Sequence, residues 1–309
     1  MARTKEEIQA WHQQLVTDAE QKIMALVDTD KFQTYLQTMA RFHHYSSRNI
    51  GLIYAQDPQA TQIAGYRQWQ QDFKRQVQPG AKAIRIAAPI VKTLTPAEKQ
   101  LLKTKQDKGI VGYRYLPVFD IKQTSGDPVA SSHDFIQATL KPHGSVTQLY
   151  NAFKAYLNEQ TSLSVTEVPL QMQGLRGYFE PDNNRIVINS QELDSGMRLK
   201  TLYHEYAHSQ LHGLTGEFKK RPRAYQEAQA ESVAYVAMQN VGIDTQDYSL
   251  GYVAVWAQDK KVIHQALSEI QKVSHKTIDI SNRLTKQLSL QRQQQRGQTI
   301  DGPTETLTR

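Results

Sequence analysis

The clearest amphipathic pattern along the chain covers residues 199–213. Its apolar positions Leu202, Tyr206 and Leu211 lie roughly one or two helical turns apart, and the stretch ends on a glycine, which commonly terminates helices. The pattern therefore predicts a helix. Residues 225–238 predict a second helix that is apolar except for a few polar positions, so we expect it to be largely buried.

Patterns typical of β-strands precede these two helices. Residues 177–180 and 185–189 flank a Pro-Asp-Asn-Asn turn, and they predict a hairpin whose second strand leads to the first helix. Nearer the N-terminus, residues 83–90 alternate between apolar and polar positions, and residues 112–121 predict a second strand. Residues 94–108, between those strands, predict a charged helical insertion that begins with Thr-Pro-Ala-Glu.

The composition divides the chain into two α+β domains. Residues 122–144 are rich in Ser, Pro, Gly and His and predict a linker. We expect a small α+β domain over residues 1–135, a second one over residues 145–290, and a disordered tail over residues 291–309, which lack apolar periodicity. The last helical part of the second domain is expected to pack against it, because apolar residues recur there at helical spacing: Tyr252, Val255, Trp256, Ile263, Leu267 and Ile270.

Composition narrows the classes of protein to which the chain can belong. The chain has 309 residues and 39% hydrophobic content, which is enough for two cores. No apolar run approaches the roughly 18 residues of a membrane-spanning helix, so we expect a cytoplasmic protein without a membrane partner. The absence of cysteine excludes disulfides, thiolate metal ligands and thiol nucleophiles. A bound metal would therefore depend on histidine and carboxylate ligands.

Positive charge is concentrated in one part of the chain. The formal net charge is +7, and residues 31–92 contain nine Lys and Arg residues against two Asp residues. Over residues 41–85, aromatic and amide side chains are interleaved with the arginines, as in surfaces where bases stack on aromatic rings and cations meet phosphates. The alternative is that Tyr45, Tyr66 and Trp69 belong to the core and that the charges are only solvated.

The first predicted helix contains the motif His204-Glu205-x-x-His208. Four residues make just over one turn, so both imidazoles project from one face and can reach a single divalent cation at about 2 Å. Glu205 lies about 100° around the helix, where it can take a proton from a metal-bound water. The motif predicts a Zn²⁺ centre for hydrolysis, although another divalent cation such as Mn²⁺ would accept the same ligands.

The second predicted helix offers a third ligand. Glu227 and Glu231 lie one turn apart on it, and carboxylates on a buried helix cost free energy unless each has a cationic partner. We assign Glu227 as the third ligand and Glu231 as the residue that orients a ligand imidazole. The two roles could be exchanged, and either carboxylate could instead cap a helix or form a salt bridge.

Two other ligand sets can be weighed against this one. His212 continues the stripe of His204 and His208, but it lies about 12 Å along the axis from His204, too far to share one cation. We expect His212 to interact with the negative end of the helix dipole. The metzincin variant needs Gly and His at the positions of Leu211 and Leu214, so this chain excludes it.

Motifs in both halves of the chain resemble one known family. In the first half these are residues 42–49 (FHHYSSRN), 56–61 (QDPQAT), 65–69 (GYRQW), 79–82 (PGAK) and 118–124 (VFDIKQT). In the second half they are His204-Glu205-x-x-His208 and Tyr225-x-Glu227-x-x-x-Glu231. Over about residues 30–280 the chain resembles the ArdC-type antirestriction proteins and their LtrC-type relatives of plasmids and other mobile elements.

The resemblance implies a single-stranded-DNA-binding domain followed by a zincin-like metallopeptidase domain of the gluzincin type. It supports Glu227 as a metal ligand, although Glu231 stands where such a pair often has Asp. A peptide substrate is expected to lie along residues 185–189, and the polar candidates for stabilising the oxyanion are Tyr178, Tyr206 and Arg223. The implied DNA contacts are Arg41, Tyr45, Ser46, Arg48, Asn49, Tyr66, Arg67, Trp69, Lys82 and Arg85.

Two functions remain open at this point. As an enzyme, the protein would cleave a host defence protein or a DNA-bound protein, and Glu205→Gln would abolish its effect. As a binding module, it would protect DNA by occupying it, with a metal site that is structural. In that case Glu205→Gln would be silent, whereas Arg48→Ala or Arg85→Ala would not.

Overall fold

The computed structural model describes residues 4–26, 28–101, 104–129, 131–172, 174–213, 221–243 and 260–300. The chain divides into two compact units, Met1–Val129 and Ala130–Arg309, which we call the N-terminal unit and the C-terminal unit. In the described ranges, the N-terminal unit combines helices with two small sheets and the C-terminal unit combines helices with one, so the predicted α+β class is confirmed. Among the helices of the described residues, none is both long and apolar enough to cross a membrane.

The N-terminal unit begins with three helices, followed by strands and two short helices. The first helix begins with a capping box between Thr4 and Glu7, and Asp28 caps the second through the backbone N–H groups of Asp30 and Lys31. The helices are α1 (Lys5–Met24), α2 (Thr29–Arg41), α3 (Ser47–Gln56), α4 (Tyr66–Gln71) and α5 (Pro96–Leu101). The strands are β1 (Ile63–Ala64), β2 (Arg75–Val77), β3 (Ile84–Thr93), β4 (Lys108–Asp120) and β5 (Thr124–Gly126).

Strands β3 and β4 form a long antiparallel ribbon. Their register runs from Ile84 opposite Val118 to Thr93 opposite Lys108. Both strands are longer than predicted, since β3 continues to Thr93 and β4 already begins at Lys108, and the predicted helical insertion between them contains α5. The strands were predicted too short because side chains on a ribbon that is exposed on both faces do not alternate between apolar and polar.

The ribbon is buried at one end and exposed at the other. Ile84, Ala87 and Val118 are buried, whereas the side chains farther along the ribbon are exposed. We call residues 89–93 and 108–114 the distal ribbon. It contains the exposed apolar residues Ile90, Val91, Ile110, Val111 and Tyr113.

The C-terminal unit contains five helices and three strands among its described residues. The helices are α6 (Ser132–Leu140), α7 (Ser145–Gln160), α8 (Ser195–Leu211), α9 (Arg223–Asn240) and α10 (Lys260–Ile300). The strands are β6 (Ser164–Val168), β7 (Gly177–Glu180) and β8 (Arg185–Asn189). The sheet has the order β6-β8-β7, with β8 parallel to β6 and antiparallel to β7.

The order of these strands corrects one expectation. Strand β8 is the segment that we expected to hold an extended peptide, yet both of its edges are already paired. Strand β7 lies at the edge of the sheet and has one paired side. A hairpin pattern alone cannot show which of its strands becomes central, because that depends on where β6 joins.

Two segments predicted to lack regular structure are helical. Part of the predicted linker forms α6, whose first turn is capped by Ser131 and whose Ile136 and Leu140 are buried. Helix α10 continues through residues 291–300, the first part of the predicted tail. Polar composition misled the prediction in both places, since a helix can be stabilised by a few anchoring contacts such as Arg292 with the backbone carbonyl of Thr139.

Helix α10 packs on the C-terminal unit as expected. Ile263, Leu267 and Ile270 are buried, which confirms that their helical spacing reflects packing. The residues Tyr252, Val255 and Trp256 of the same prediction lie outside the described residues, as do residues 301–309 of the predicted tail.

Candidate metal centre

Helix α8 carries the two histidines on the face opposite its core residues. Asp194 caps the helix by accepting a hydrogen bond from the backbone N–H of Met197. Leu199, Leu202 and Tyr206 are buried in the C-terminal unit. His204 and His208 are half-buried and line a cavity of 620 Å³.

Three ligand atoms converge in this cavity. The Nε2 atoms of His204 and His208 lie 3.1 Å apart. Oε2 of Glu227 lies 3.3 Å from the first of these nitrogens and 3.5 Å from the second. Bonds of about 2.0–2.1 Å in a tetrahedral site would separate ligand atoms by about 3.3–3.4 Å, so the three atoms fit three corners around one cation. Two imidazoles and a carboxylate suit Zn²⁺ and several other divalent ions.

Glu227 reaches the site from the first half of α9. Hydrogen bonds from His204 and His208 hold the pKa of its carboxyl well below the usual range. Its second oxygen, Oε1, lies 3.4 Å from Nε of Arg223. The carboxylate is thus ionised and aimed at the two imidazoles, as a metal ligand must be.

Glu231 lies one turn further along α9 and supports His204 from behind. Its Oε2 lies 3.0 Å from Nδ1 of His204, and its Oε1 lies 2.6 Å from Nζ of Lys200. Burial opposes the charge on His204, but hydrogen bonds to Glu227 and Glu231 outweigh it and raise the pKa of the imidazole to about 10. Glu227 thus faces the Nε2 atoms of both imidazoles, whereas Glu231 contacts Nδ1 of His204. Sequence reasoning missed Lys200, whose position one turn before His204 could have indicated it.

His212 does not play the part expected of it. Its side chain is buried, and burial lowers the pKa of its imidazole to about 4, so it is neutral and cannot act as a cation at the helix end. Its Nδ1 instead lies 2.9 Å from Nδ1 of His208, and its Nε2 lies 3.1 Å from Oε1 of Gln229. Gln229 was also missed, because a neutral amide on a helix has no distinctive pattern.

Glu205 lies on α8, close to the edge strand β7. It lines the same cavity but is only 7% exposed. Burial raises the pKa of its carboxyl, while the nearby imidazoles and a hydrogen bond from the backbone N–H of Phe179 oppose that shift. A buried carboxylate with a raised pKa is suited to taking up and returning a proton.

Strand β7 forms one wall of the cavity. Gly177, Tyr178 and Phe179 line it, together with the preceding Leu175 and Arg176. A Cβ atom at Gly177 would lie 2.8 Å from Cγ2 of Thr201 and 2.8 Å from the carbonyl oxygen of Val187. Glycine at this position therefore allows the edge strand to lie directly against α8.

The three candidates for oxyanion stabilisation have different positions. Tyr206 is fully buried and packs edge-on against Phe153, with ring centroids 5.6 Å apart, so it does not face the cavity. Its selection on sequence proximity was wrong, because it lies on the core side of α8. Tyr178 and Arg223 both line the cavity.

Three of the expected DNA contacts are engaged in holding the N-terminal unit together. Arg41 donates to the backbone carbonyls of Gln37 and Pro58. Asn49 bridges to the backbone of Ala87 through both of its amide atoms. Trp69 is 1% exposed and donates from Nε1 to the carbonyl of Phe119. A ring buried in this way cannot stack on a base, which corrects the expectation for Trp69.

The other expected DNA contacts are more accessible. Ser46 caps α3, and Arg85 lies over the ring of Trp11 at 5.2 Å. Arg48 is exposed, and its guanidinium lies 4.5 Å from the ring centroid of Tyr113 on the distal ribbon. Tyr45 is half-buried, and Tyr66, Arg67 and Lys82 are exposed. The ten residues therefore do not all lie on the surface, and Arg48 is paired with Tyr113, a ring that the sequence prediction did not include.

Comparison with known proteins identifies both units. Residues 5–119 match the model of the N-terminal domain of anti-restriction factor ArdC. Residues 158–269 match that of the IrrE N-terminal-like domain, a peptidase M78 domain. The two matches follow one another along the chain without overlap.

One curated relative and two solved structures are similar to the chain. The uncharacterized protein pXO2-81 of Bacillus anthracis is 26% identical over 289 residues, which are 84% of this chain and 48% of the relative. The chain thus spans about half the length of the curated relative it matches.

The Mn(II)-bound crystal structure of antirestriction ArdC protein from R388 plasmid is 16% identical, with a TM-score of 0.51, and the match covers 87% of this chain and 97% of that one. The metal-free structure of the same protein is 18% identical, with a TM-score of 0.47 and coverage of 79% and 86%. The Mn(II)-bound structure shows a shared fold. The two family matches show that an ArdC N-terminal domain precedes an IrrE-like peptidase M78 domain in this chain, an order that fits an ArdC-type antirestriction protein.

Proposed function

We propose that this protein binds single-stranded DNA through its N-terminal unit and holds a divalent cation in its C-terminal unit for peptide-bond hydrolysis, in the service of antirestriction for a mobile element. The observation that carries the catalytic half is the convergence of His204, His208 and Glu227 within 3.5 Å beside the buried carboxylate of Glu205. The N-terminal ArdC domain supports the DNA-binding half.

The roles of the residues follow from their positions. His204, His208 and Glu227 would hold the cation, which supplies a Lewis acid and an activated water when bound. Glu205 would accept a proton from that water and return it to the leaving amine, for which its raised pKa is suited. Tyr178 and Arg223 line the cavity and are the remaining candidates to stabilise the oxyanion.

An extended peptide would add to the free edge of β7. That strand pairs on one side with β8, lines the cavity and hydrogen-bonds Glu205 through the backbone of Phe179. Backbone hydrogen bonds to the edge strand would position a scissile bond beside the ligands without specifying its side chains.

Zn²⁺ is the cation that the ligand set favours among common metallopeptidase metals. The ArdC protein from R388 plasmid has a structure described as Mn(II)-bound, so Mn²⁺ is the alternative to test. Affinity for a given nitrogen and oxygen site is greater for Zn²⁺ than for Mn²⁺ in either case, so peptide cleavage measured with each ion in turn, and not affinity alone, would distinguish them.

Single-stranded DNA would lie along the distal ribbon rather than on the buried Trp69. Tyr113 offers a ring for base stacking, and Arg48 packs over that ring at 4.5 Å. Lys108 and Arg114 are exposed on the same ribbon, where they could meet phosphates. Stacking contributes about 1–3 kcal/mol per base and phosphate contacts make binding salt-dependent, so the proposal predicts weak sequence preference and strong sensitivity to salt.

The alternative is a DNA-protecting module whose metal site is structural. One observation favours it: the carboxylates of Glu227 and Glu231 lie 3.3 Å and 3.0 Å from the two ring nitrogens of His204, so the cluster already ties α8 to α9 through its own contacts. A centre of this kind could stabilise the fold without ever acting on a substrate.

The test compares Glu205→Gln with wild type after loading with Zn²⁺. Cleavage of a random-sequence peptide library, read by mass spectrometry, should be lost by a factor of at least about a thousand, while metal content stays at one equivalent. Glu159→Gln, an exposed site on α7, is the matched control and should cleave as wild type does. Full metal occupancy with no cleavage in wild type would favour the structural alternative.

A further inference from the structure

Four side chains form a continuous hydrogen-bonded chain from a metal ligand to α10. Nδ1 of His208 lies 2.9 Å from Nδ1 of His212, and Nε2 of His212 lies 3.1 Å from Oε1 of Gln229. Nε2 of Gln229 in turn lies 2.9 Å from Oε2 of Glu269. His212 is buried and Gln229 is 0% exposed, so water cannot substitute for these partners.

The carboxylate of Glu269 can only accept hydrogen bonds, and this fixes the direction of every hydrogen bond between Glu269 and His208. The carboxylate of Glu269 accepts, so Gln229 turns its NH₂ group towards Glu269 and its carbonyl oxygen towards His212. That carbonyl oxygen can only accept, so His212 carries a proton on Nε2. A neutral imidazole then has a lone pair on Nδ1, which accepts from Nδ1–H of His208.

Metal binding by His208 requires the same positions of the protons. To bind a cation through Nε2, the neutral imidazole of His208 must carry its single proton on Nδ1. That nitrogen faces His212, whose lone pair is available because Gln229 has fixed the other proton. Both ends of the chain therefore require one and the same set of tautomers.

The two ligand imidazoles are supported differently. Nδ1 of His204 meets a carboxylate directly, since Oε2 of Glu231 lies 3.0 Å away. Nδ1 of His208 contacts the neutral imidazole of His212 instead. From His212 the hydrogen bonds lead through Gln229 before they reach a carboxylate, that of Glu269. The support of His208 thus depends on a buried amide that must keep one orientation.

We infer that His212, Gln229 and Glu269 are positioning residues of the metal centre, which fix the tautomer of His208 and so couple α10 to metal binding. The inference rests on the proposed metal-binding function of His204, His208 and Glu227. It extends the site from α8 and α9 to α10 through residues that touch neither metal nor substrate. Removing the carbonyl acceptor of Gln229 should weaken metal binding by about ten- to one-hundredfold.

The test removes the amide of Gln229 in one variant and exchanges the side chains of residues 229 and 269 in another. Gln229→Leu keeps a side chain of similar volume, one atom shorter, but removes the acceptor of His212. The double variant Gln229→Glu/Glu269→Gln restores the same polarity, because residue 229 again accepts from His212 while residue 269 donates to it. Asn240→Leu is the matched control, since Asn240 donates to Asn282 at 2.8 Å and also joins α9 to α10, three turns from Gln229.

Two quantities are measured. One is the Zn²⁺ affinity, from competition with a chromophoric chelator, and the other is the visible spectrum of the Co²⁺-loaded protein. We expect Gln229→Leu to bind Zn²⁺ about ten- to one-hundredfold more weakly with a shifted Co²⁺ band, the double variant to lie within about threefold of wild type, and Asn240→Leu to be unchanged. Should Gln229→Leu fail to fold, Glu269→Gln alone, which leaves the amide of Gln229 free to turn, should bind about threefold more weakly than the double variant.

The outcomes separate the inference from the function beneath it. Wild type that binds Zn²⁺, with Gln229→Leu equal to it or the double variant as weak as Gln229→Leu, would overturn the inference and leave the metal site standing. Wild type that binds neither Zn²⁺ nor Co²⁺ would overturn the proposed metal function together with the inference.

Discussion

The two units of the protein arrange their functional candidates in opposite ways. In the C-terminal unit, half-buried polar side chains face one another within 3.5 Å and have defined partners. In the N-terminal unit, rings and cations are exposed along a two-stranded ribbon. A convergent buried site should fail when one member is lost, whereas a distributed surface should lose affinity in small steps. The experiments below test that difference.

The largest expected effect comes from removing the carboxylate ligand. Glu227→Ala should weaken Zn²⁺ binding on the order of a thousandfold, because a three-ligand site loses a direct bond. Glu231→Gln, one turn away and not a ligand, should weaken it about ten- to one-hundredfold. Both affinities can be measured by chelator competition. Equal losses in the two variants would contradict the assignment of Glu227 as ligand and Glu231 as the orienting residue.

Metal affinity should rise steeply with pH. In the metal-free protein the pKa of His204 is raised to about 10, so the imidazole is protonated at neutral pH and must release that proton to bind a cation. Apparent affinity should increase about tenfold per pH unit from pH 6 to 9, with about one proton released per metal in calorimetry at pH 8. In Glu231→Gln the rise should level off at a lower pH, since one hydrogen bond that raises the pKa is weakened. A flat profile in wild type would contradict the account.

The close approach of β7 to α8 can be tested at a glycine. Gly177→Ala places a Cβ 2.8 Å from a backbone carbonyl that cannot move aside, so we expect a loss of about 1–3 kcal/mol in the free energy of unfolding. Gly112→Ala, whose Cβ would meet its nearest neighbour at 3.8 Å, is the control and should be neutral or slightly stabilising. Chemical denaturation measures both. A neutral Gly177→Ala would mean that the edge strand is not held against the metal helix.

Single changes on the distal ribbon should have the smallest effects. Tyr113→Ala should weaken binding to a single-stranded oligonucleotide by about 1–2 kcal/mol, and Arg114→Ala should lower the slope of log affinity against log salt by about 0.7. Lys31→Ala, an exposed residue of α2 paired with Asp28, is the control. Fluorescence anisotropy at several salt concentrations gives both quantities. Full loss of binding from one of these changes would show a convergent site instead of a distributed one.

The ligand helix was predictable because its chemistry is local. A spacing of four residues places His204 and His208 on one face of any helix, whatever the rest of the fold does. Glu227 could be anticipated because a carboxylate on a buried helix needs a partner. His212 could not be placed, since the chain of Gln229 and Glu269 depends on how α9 and α10 pack, and that packing leaves no local pattern.

The DNA-contact candidates were harder to predict from the sequence, because their surroundings are not decided locally. An aromatic ring beside arginines has the same pattern whether it stacks on bases or fills a core, and Trp69 proved to be a core residue. Similarly, β7 and β8 have equivalent hairpin patterns, and only the parallel pairing with β6 makes β8 central and β7 the edge. Sequence spacing predicted elements well where neighbours in sequence decide them, and poorly where distant segments do.

The central claim is that one chain carries a metal centre and a DNA-binding surface that work through separate residues. The most direct measurement is the metal content of the full chain and of His204→Ala after equilibration with Zn²⁺, together with single-stranded-DNA binding of both at two salt concentrations. We expect one equivalent of Zn²⁺ in wild type, none in the variant, and equal, salt-sensitive DNA binding in both. Zn²⁺-free wild type, or loss of DNA binding in a His204→Ala protein that is still folded, would contradict the account.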